Sequence, residues 1–161
     1  MIGNDVVDLV LARKESNWQR KGFLDKIFTK NEQEFIHKAI DAEIMVWNLW
    51  SRKEAAYKIY NRETGIRGYF PLRLECDCSD YKTGTVCIKG QVYYIQTTID
   101  LECVYTIAAA QNAIFKQIKT IDCNATIEKS NGIPFLKDEN TQLLQPVSIS
   151  HHGRFWKGIS V

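Results

Sequence analysis

The chain has 161 residues, 45% apolar and 25% charged, with a formal net charge of +2. That length suits one ordinary domain or two small fused ones, and those fractions exclude a disordered or fibrous chain. So small a net charge argues against nucleic acid held by bulk electrostatics, and any acidic partner must meet a local patch.

Residues 2–10 read as a β-prone segment carrying Asp5 and Asp8. Carboxylates are disfavoured inside strands, so this is either a solvated strand end or a rigid element offering oxygen ligands to a hard cation. No apolar run approaches the ~20 residues of a membrane span, and the start reads as a strand and not an export signal. A cytoplasmic protein without membrane or nucleic-acid partners is expected. Residues 15–26 are expected to form an amphipathic helix carrying Arg20 and Lys21, preceded by Arg13 and Lys14. This cluster is a wet face or a basic docking patch. Thr29 and Glu32 form a capping box that starts a helix running to about residue 37 or 40.

Residues 39–60 contain neither Gly nor Pro and are rich in helix formers, ending in Trp50-Ser51-Arg52-Lys53-Glu54-Ala55-Ala56-Tyr57-Lys58-Ile59-Tyr60. Apolar residues surround this helix almost completely, as in a buried one. Glu54 and Lys58, four apart, share a face with Ser51 and Trp47. They form either a plain i,i+4 pair or, with Lys53, a set of charges that a bound metal or phosphate would satisfy.

From residue 69 the period becomes two, and strands are expected over 72–78, 85–89, 92–99 and 103–110 in an antiparallel meander. Residues 113–122 are ambiguous between strand and helix. A hairpin follows, turning at Ser130-Asn131-Gly132; 138–145 is a polar loop, and Ser148-Ile149-Ser150-His151 precedes a last strand. The expected class is α+β, with a core over residues 1–112 and a second short antiparallel β block over 113–161 packed on it. The cysteines (Cys76, Cys78, Cys87, Cys103, Cys123) show neither Cys-x-x-Cys nor zinc-type His spacing and read as small buried thiols.

Three polar groups then call for one account: Asp5 with Asp8, Lys53 with Glu54 and Lys58, and Ser150 with His151. Each has an ordinary structural explanation alone. Together they offer oxygen ligands for a divalent cation, ammoniums for phosphate and a loop histidine, which suits Mg²⁺ bridging phosphate oxygens.

The motifs carrying these residues resemble the 4′-phosphopantetheinyl transferase superfamily. Gly3-Asn4-Asp5-Val6-Val7-Asp8 resembles its first signature, and Trp50, Ser51, Lys53, Glu54, Ala55 and Lys58 match its second. Gly132-Ile133-Pro134 and Ser148-Ile149-Ser150-His151 resemble its third. The resemblance implies that family's fold, and transfer of 4′-phosphopantetheine from coenzyme A to a serine of an acyl or peptidyl carrier protein, with Mg²⁺ and release of 3′,5′-ADP. By position, it assigns the metal to Asp5 and Glu54 and catalysis to Glu54 and Lys58. Lys53, Lys58, Ser150 and His151 would contact coenzyme A phosphates, and Arg13, Lys14, Arg20 and Lys21 would dock the carrier.

Three departures qualify the resemblance. Val7 stands where the larger members carry an acid, which places the first motif nearer the short, oligomeric holo-acyl-carrier-protein synthases. Ile133 replaces a basic residue. The Ser-His motif comes last, whereas large members place it before the others. A homo-oligomer with a cleft between chains and a cleft completed within one chain are both compatible with this order. The alternative function is a carrier-protein-binding module of the same fold without catalysis.

Overall fold

The computed structural model describes residues 1–78, 80–137 and 141–161. Its centre is α4 (Ala42–Thr64), capped by the Asp41 side chain and stopped by Gly65 in the left-handed conformation (φ 70°). Val46, Leu49, Ala55, Ala56 and Ile59 are fully buried on it, against Val86, Ile95, Val104 and Ala108 of a sheet. The helix expected to be apolar almost all round is thus buried on nearly every side. It begins at residue 42, after a break.

The chain enters with β1 (Ile2–Asp8), runs through α1 (Leu9–Glu15), α2 (Phe23–Ile27) and α3 (Lys30–Lys38), and reaches α4. The helix expected over 15–26 is interrupted. Asp8 caps α1 six residues earlier than the amphipathic pattern suggested, Asn17 Oδ1 accepts from the Gln19 amide, and Gly22 takes φ 78°. The capping box at α3 is present with both bonds formed.

After α4, a 3-10 turn at Pro71–Arg73 delays the next strand. β2 (Glu75–Asp77), β3 (Thr83–Ile88), β4 (Gln91–Ile99) and β5 (Cys103–Ala109) then form the antiparallel meander, and β1 joins β5 to give the order β1-β5-β4-β3-β2. Ser79, within the expected turn, and residues 138–140, within the expected polar loop, lie outside the described residues. The ambiguous stretch resolves into a 3-10 turn at Asn112–Gln117 and β6 (Lys119–Ile121). β7 (Ile127–Ser130) and β8 (Ile133–Lys137) form the hairpin, with Asn131 and Gly132 both at positive φ (49° and 78°), as a two-residue turn requires. β9 (Leu144–Pro146) completes that small sheet, while β10 (Ser148–His152) and β11 (Phe155–Ser160) pair with each other and β11 with β6 in another.

Two features of β1 position the site. Gly3 lies against α4 so closely that a Cβ would collide with the Ala55 carbonyl oxygen. The other feature is the β1 edge facing away from β5, which is closed by side chains of β10. Ser148 Oγ, Ser150 Oγ and His152 Nδ1 accept from the amides of Asn4, Val6 and Asp8 at 3.0, 3.0 and 2.8 Å. Alternate residues of one strand thus satisfy alternate amides of another, since period two puts each set on one side.

Candidate active site

Asp5 leaves β1 toward α4, where Glu54 and Lys58 stand one turn apart. Its carboxylate accepts from Ser150 Oγ (3.1 Å), and Oδ1 is 3.8 Å from Lys58 Nζ. Burial pushes the Asp5 carboxyl above its usual range, against the opposing pull of Lys58 and Ser150. Burial, and then the charge of Asp5, push Glu54 up to about 7, with Lys58 pulling the other way. The two acids expected to meet are therefore close enough to feel each other.

The Lys58 ammonium also donates to the carbonyls of Asn4 (2.6 Å) and Ile149 (3.1 Å), and burial lowers its pKa. One turn later Arg62 repeats the pattern, donating to Ile2 (3.3 Å) and Val147 (2.6 Å) carbonyls. Two cations of α4 thus clip β10 and the residue before it to β1. On the solvent side Lys58 and Arg62 join Tyr57, Lys129, Pro134 and His151 in lining a groove of about 300 Å³. The exposed His151 is also part of a second cleft, about 230 Å³, which contains Asp5, Trp47, Trp50 and the Ala12 and Ser16 end of α1. A basic groove and an aromatic cleft thus share His151.

The structure brings together Asp5, Glu54, Lys58, Ser150 and His151. It does not bring Lys53 to them. Consecutive helical residues point about 100° apart, and Lys53 is turned to the far side of α4. There its buried ammonium pairs with Glu32 (2.6 Å) and donates to the Ile27 and Pro71 carbonyls at 3.0 and 2.7 Å. The expected phosphate contact is therefore corrected: Lys53 is a core ion pair. The Ser150 hydroxyl is engaged with Asp5 and the Val6 amide, so it faces the acid and not an open phosphate site.

Asp8 stands apart from the pair. Its carboxylate caps α1 and binds Arg154, which holds its pKa well below the usual range. Of the expected basic patch, Arg13 pairs with Glu43 at 2.9 Å and Arg20 lies over the Phe23 ring, while Lys14 and Lys21 are exposed. The sequence reading passed over Arg62, although it lies four residues beyond Lys58 on the same face. It also passed over Lys129 and Tyr69, for which no local pattern gives a signal.

Among the described residues no group of three or more His, Cys, Asp or Glu is arranged to hold a metal. Asp5 and Glu54 are a pair, and Mg²⁺ is commonly bound by one or two carboxylates with water and phosphate completing its shell. No helix is long and apolar enough to cross a membrane.

Comparison with known proteins gives the family and the fold. A holo-[acyl-carrier-protein] synthase of Caldanaerobacter subterraneus subsp. tengcongensis is 30% identical over 90 residues, 56% of this chain and 68% of that protein. The structure of Thermotoga maritima holo-[acyl-carrier-protein] synthase superposes with a TM-score of 0.52 at 14% identity, covering 99% of this chain and 82% of that one. An apo-ACPS structure from Chronobacterium ammoiniagenes gives 0.53 at 13% identity, covering 67% and 93%. Both share the α+β fold with antiparallel sheets. The family model of the 4′-phosphopantetheinyl transferase superfamily matches residues 1–120, the span that holds β1, α4 and the acids between them, and the chain belongs to that superfamily.

Proposed function

We propose that this chain transfers the 4′-phosphopantetheine group of coenzyme A to a serine of an acyl or peptidyl carrier protein, with Mg²⁺, releasing 3′,5′-ADP. The observation that supports this most is the convergence of Asp5 and Glu54 on Lys58, which lines the basic groove. Two half-buried acids facing one lysine, with Glu54 pushed up to about 7, leave negative charge that a hard cation would neutralise. The donor set suits Mg²⁺, held by Asp5 and Glu54. Bound there, the ion would offset charge on a diphosphate and on the transferred phosphoryl group.

The chain's own residues supply the rest. Glu54, with a pKa of about 7, is poised to take the proton of an acceptor hydroxyl near neutrality. Lys58, fixed by two carbonyls and carrying a lowered pKa, places a cation in the groove wall where the departing phosphate would need a proton. Arg62, Lys129 and His151 line the same groove and would orient the nucleotide phosphates. Lys129 gives this wall a cation despite Ile133. The open side of the aromatic cleft adjoins the C-terminal end of α1, so Arg13 and Lys14, with Arg20 and Lys21 beyond, are the proposed carrier contact.

Incubation with Mg²⁺, coenzyme A and an apo carrier protein tests the reading by mass spectrometry. The expected result is a carrier heavier by one phosphopantetheine, with Mg²⁺ required. Carrier binding with no mass gain would select the non-catalytic module instead.

A further inference from the structure

Glu54 shares one face of α4 with Trp50, four residues before it, and Tyr57, three after. The Tyr69 ring stands edge-on to both, with centroids 5.8 Å from Trp50 and 5.3 Å from Tyr57 and interplanar angles of 63° and 73°. A ring held against both ends of this row lies across the residue between them. The turn carrying it is tied to the same helix on either side: the Gly68 amide donates to the Tyr57 hydroxyl at 3.1 Å, and the Pro71 carbonyl accepts from Lys53 at 2.7 Å.

The Tyr69 hydroxyl is buried and, among the described residues, makes no hydrogen bond of standard geometry. Buried phenol hydroxyls normally find a partner. A phenol hydroxyl is protonated at neutral pH, so this one can act as a donor. A carboxylate has two oxygens, and one that must face Asp5 and Lys58 benefits from a fixed contact on the other.

We propose that Tyr69 is a positioning residue for Glu54, its O–H donating to one carboxylate oxygen of the ionised acid and leaving the other turned toward Asp5 and Lys58. This rests on the reading of Glu54 as cation ligand and base. Tyr69 lies outside the Trp-Ser-x-Lys-Glu-Ala motif and comes from the loop after α4. It acts on the reaction through Glu54 and touches no substrate.

The test is Tyr69→Phe, which keeps the ring and its edge contacts and removes the hydroxyl alone. Mn²⁺, as a paramagnetic probe for Mg²⁺, is titrated into protein free of coenzyme A and the unbound ion read by electron paramagnetic resonance. The expected result is Mn²⁺ affinity weakened roughly 10- to 100-fold, kcat lowered to a similar degree, and an unchanged KM for coenzyme A. Mn²⁺ affinity and kcat equal to those of the unmodified chain overturn the proposal, as does a loss of melting temperature that accounts for the whole fall in kcat. Glu54→Gln in parallel separates the two ideas. If Glu54→Gln keeps both Mn²⁺ binding and turnover, the reading of Glu54 fails; if it loses them while Tyr69→Phe does not, the positioning role alone fails.

Discussion

Ser150 Oγ donates to Asp5 Oδ1 at 3.1 Å across 145 positions of sequence, and the same oxygen accepts from the Val6 amide at 3.0 Å. One hydroxyl thus fastens β10 to β1 and fixes the acid assigned to the cation. Ser150→Ala leaves the Val6 amide without that acceptor and Asp5 free to turn, a cost of ~1–3 kcal/mol in stability. Ser148→Ala makes a matched comparison, since Ser148 Oγ accepts from the Asn4 amide and donates to Asn4 Oδ1 (3.0 and 2.8 Å). Both variants should melt earlier. Transfer activity should fall well beyond the stability loss in Ser150→Ala but not in Ser148→Ala. Equal activity in the two would separate Ser150 from the chemistry.

Glu54 gives the chain a pH dependence of defined sign. Burial, and then the charge of Asp5, push its carboxyl from an ordinary 4.5 up to about 7 in the folded state. The native protein therefore holds a proton that the unfolded chain releases, and stability falls as pH climbs from about 4.5 through 7. The penalty above pH 7 is of order 3 kcal/mol. Without divalent cation, Glu54→Gln should be more stable than the unmodified chain at pH 8 and nearly equal to it at pH 4.5, while transferring no phosphopantetheine. Added Mg²⁺ should raise the melting temperature of the unmodified chain more at pH 8 than at pH 5. A melting difference between the two proteins that does not vary with pH would remove the basis for this assignment.

What was legible in advance is what local spacing encodes. Glu54 and Lys58 meet because 3.6 residues make a turn, and Asn131-Gly132 reverses the chain because both residues tolerate positive φ. Ser148-Ile149-Ser150-His151 was legible as a motif, but not that Ser148, Ser150 and His152 would form a row meeting the free edge of β1. That contact joins the two ends of the chain, and no local period reports it. The helix expected over 15–26 failed for a related reason: its apolar spacing was plausible, yet Asn17 and Gly22 each favoured a turn. Lys53 was misassigned because a motif names a residue without naming its partner. Glu32 was legible as a capping residue, and it is one. The same carboxylate also takes the Cys76 amide at 2.7 Å and the Lys53 ammonium, which the spacing of a capping box cannot show.

The buried pair of Lys53 and Glu32 yields a prediction opposite to that for a phosphate ligand. Both side chains are fully shielded from solvent. Lys53→Met leaves the buried Glu32 carboxyl without its cation, which should destabilise the fold by about 3–5 kcal/mol. Glu32→Gln combined with Lys53→Met should recover part of that loss, because neither partner is then left as an unpaired charge. KM for coenzyme A, measured on the folded fraction below the melting transition, should not change. A markedly raised KM in the double variant would return Lys53 to the nucleotide.

Asp8 and Arg154 supply the acid limb of stability. The Asp8 carboxylate accepts from Arg154 Nε and Nη2 at 2.9 and 3.1 Å, from the Arg154 amide at 3.1 Å, and from the Val10 and Leu11 amides at the start of α1. Gly153, at φ 54°, lies directly against it, where a Cβ would crowd the carboxylate. With its folded pKa depressed chiefly by the Arg154 hydrogen bonds, Asp8 contributes stability that is present above the unfolded value near 3.8. That contribution is lost as pH falls further toward the folded pKa. Arg154→Met removes the guanidinium bonds and leaves the cap of α1 in place. The variant should therefore be less stable than the unmodified chain at pH 7, and the gap should narrow as pH drops below about 4, where Asp8 becomes protonated in the unfolded chain. Urea denaturation at pH 7, 4 and 2.5 measures that gap. If it is as wide at pH 2.5 as at pH 7, the stabilisation comes from packing of Arg154 over the Phe155 ring (5.2 Å) and not from its bond to Asp8.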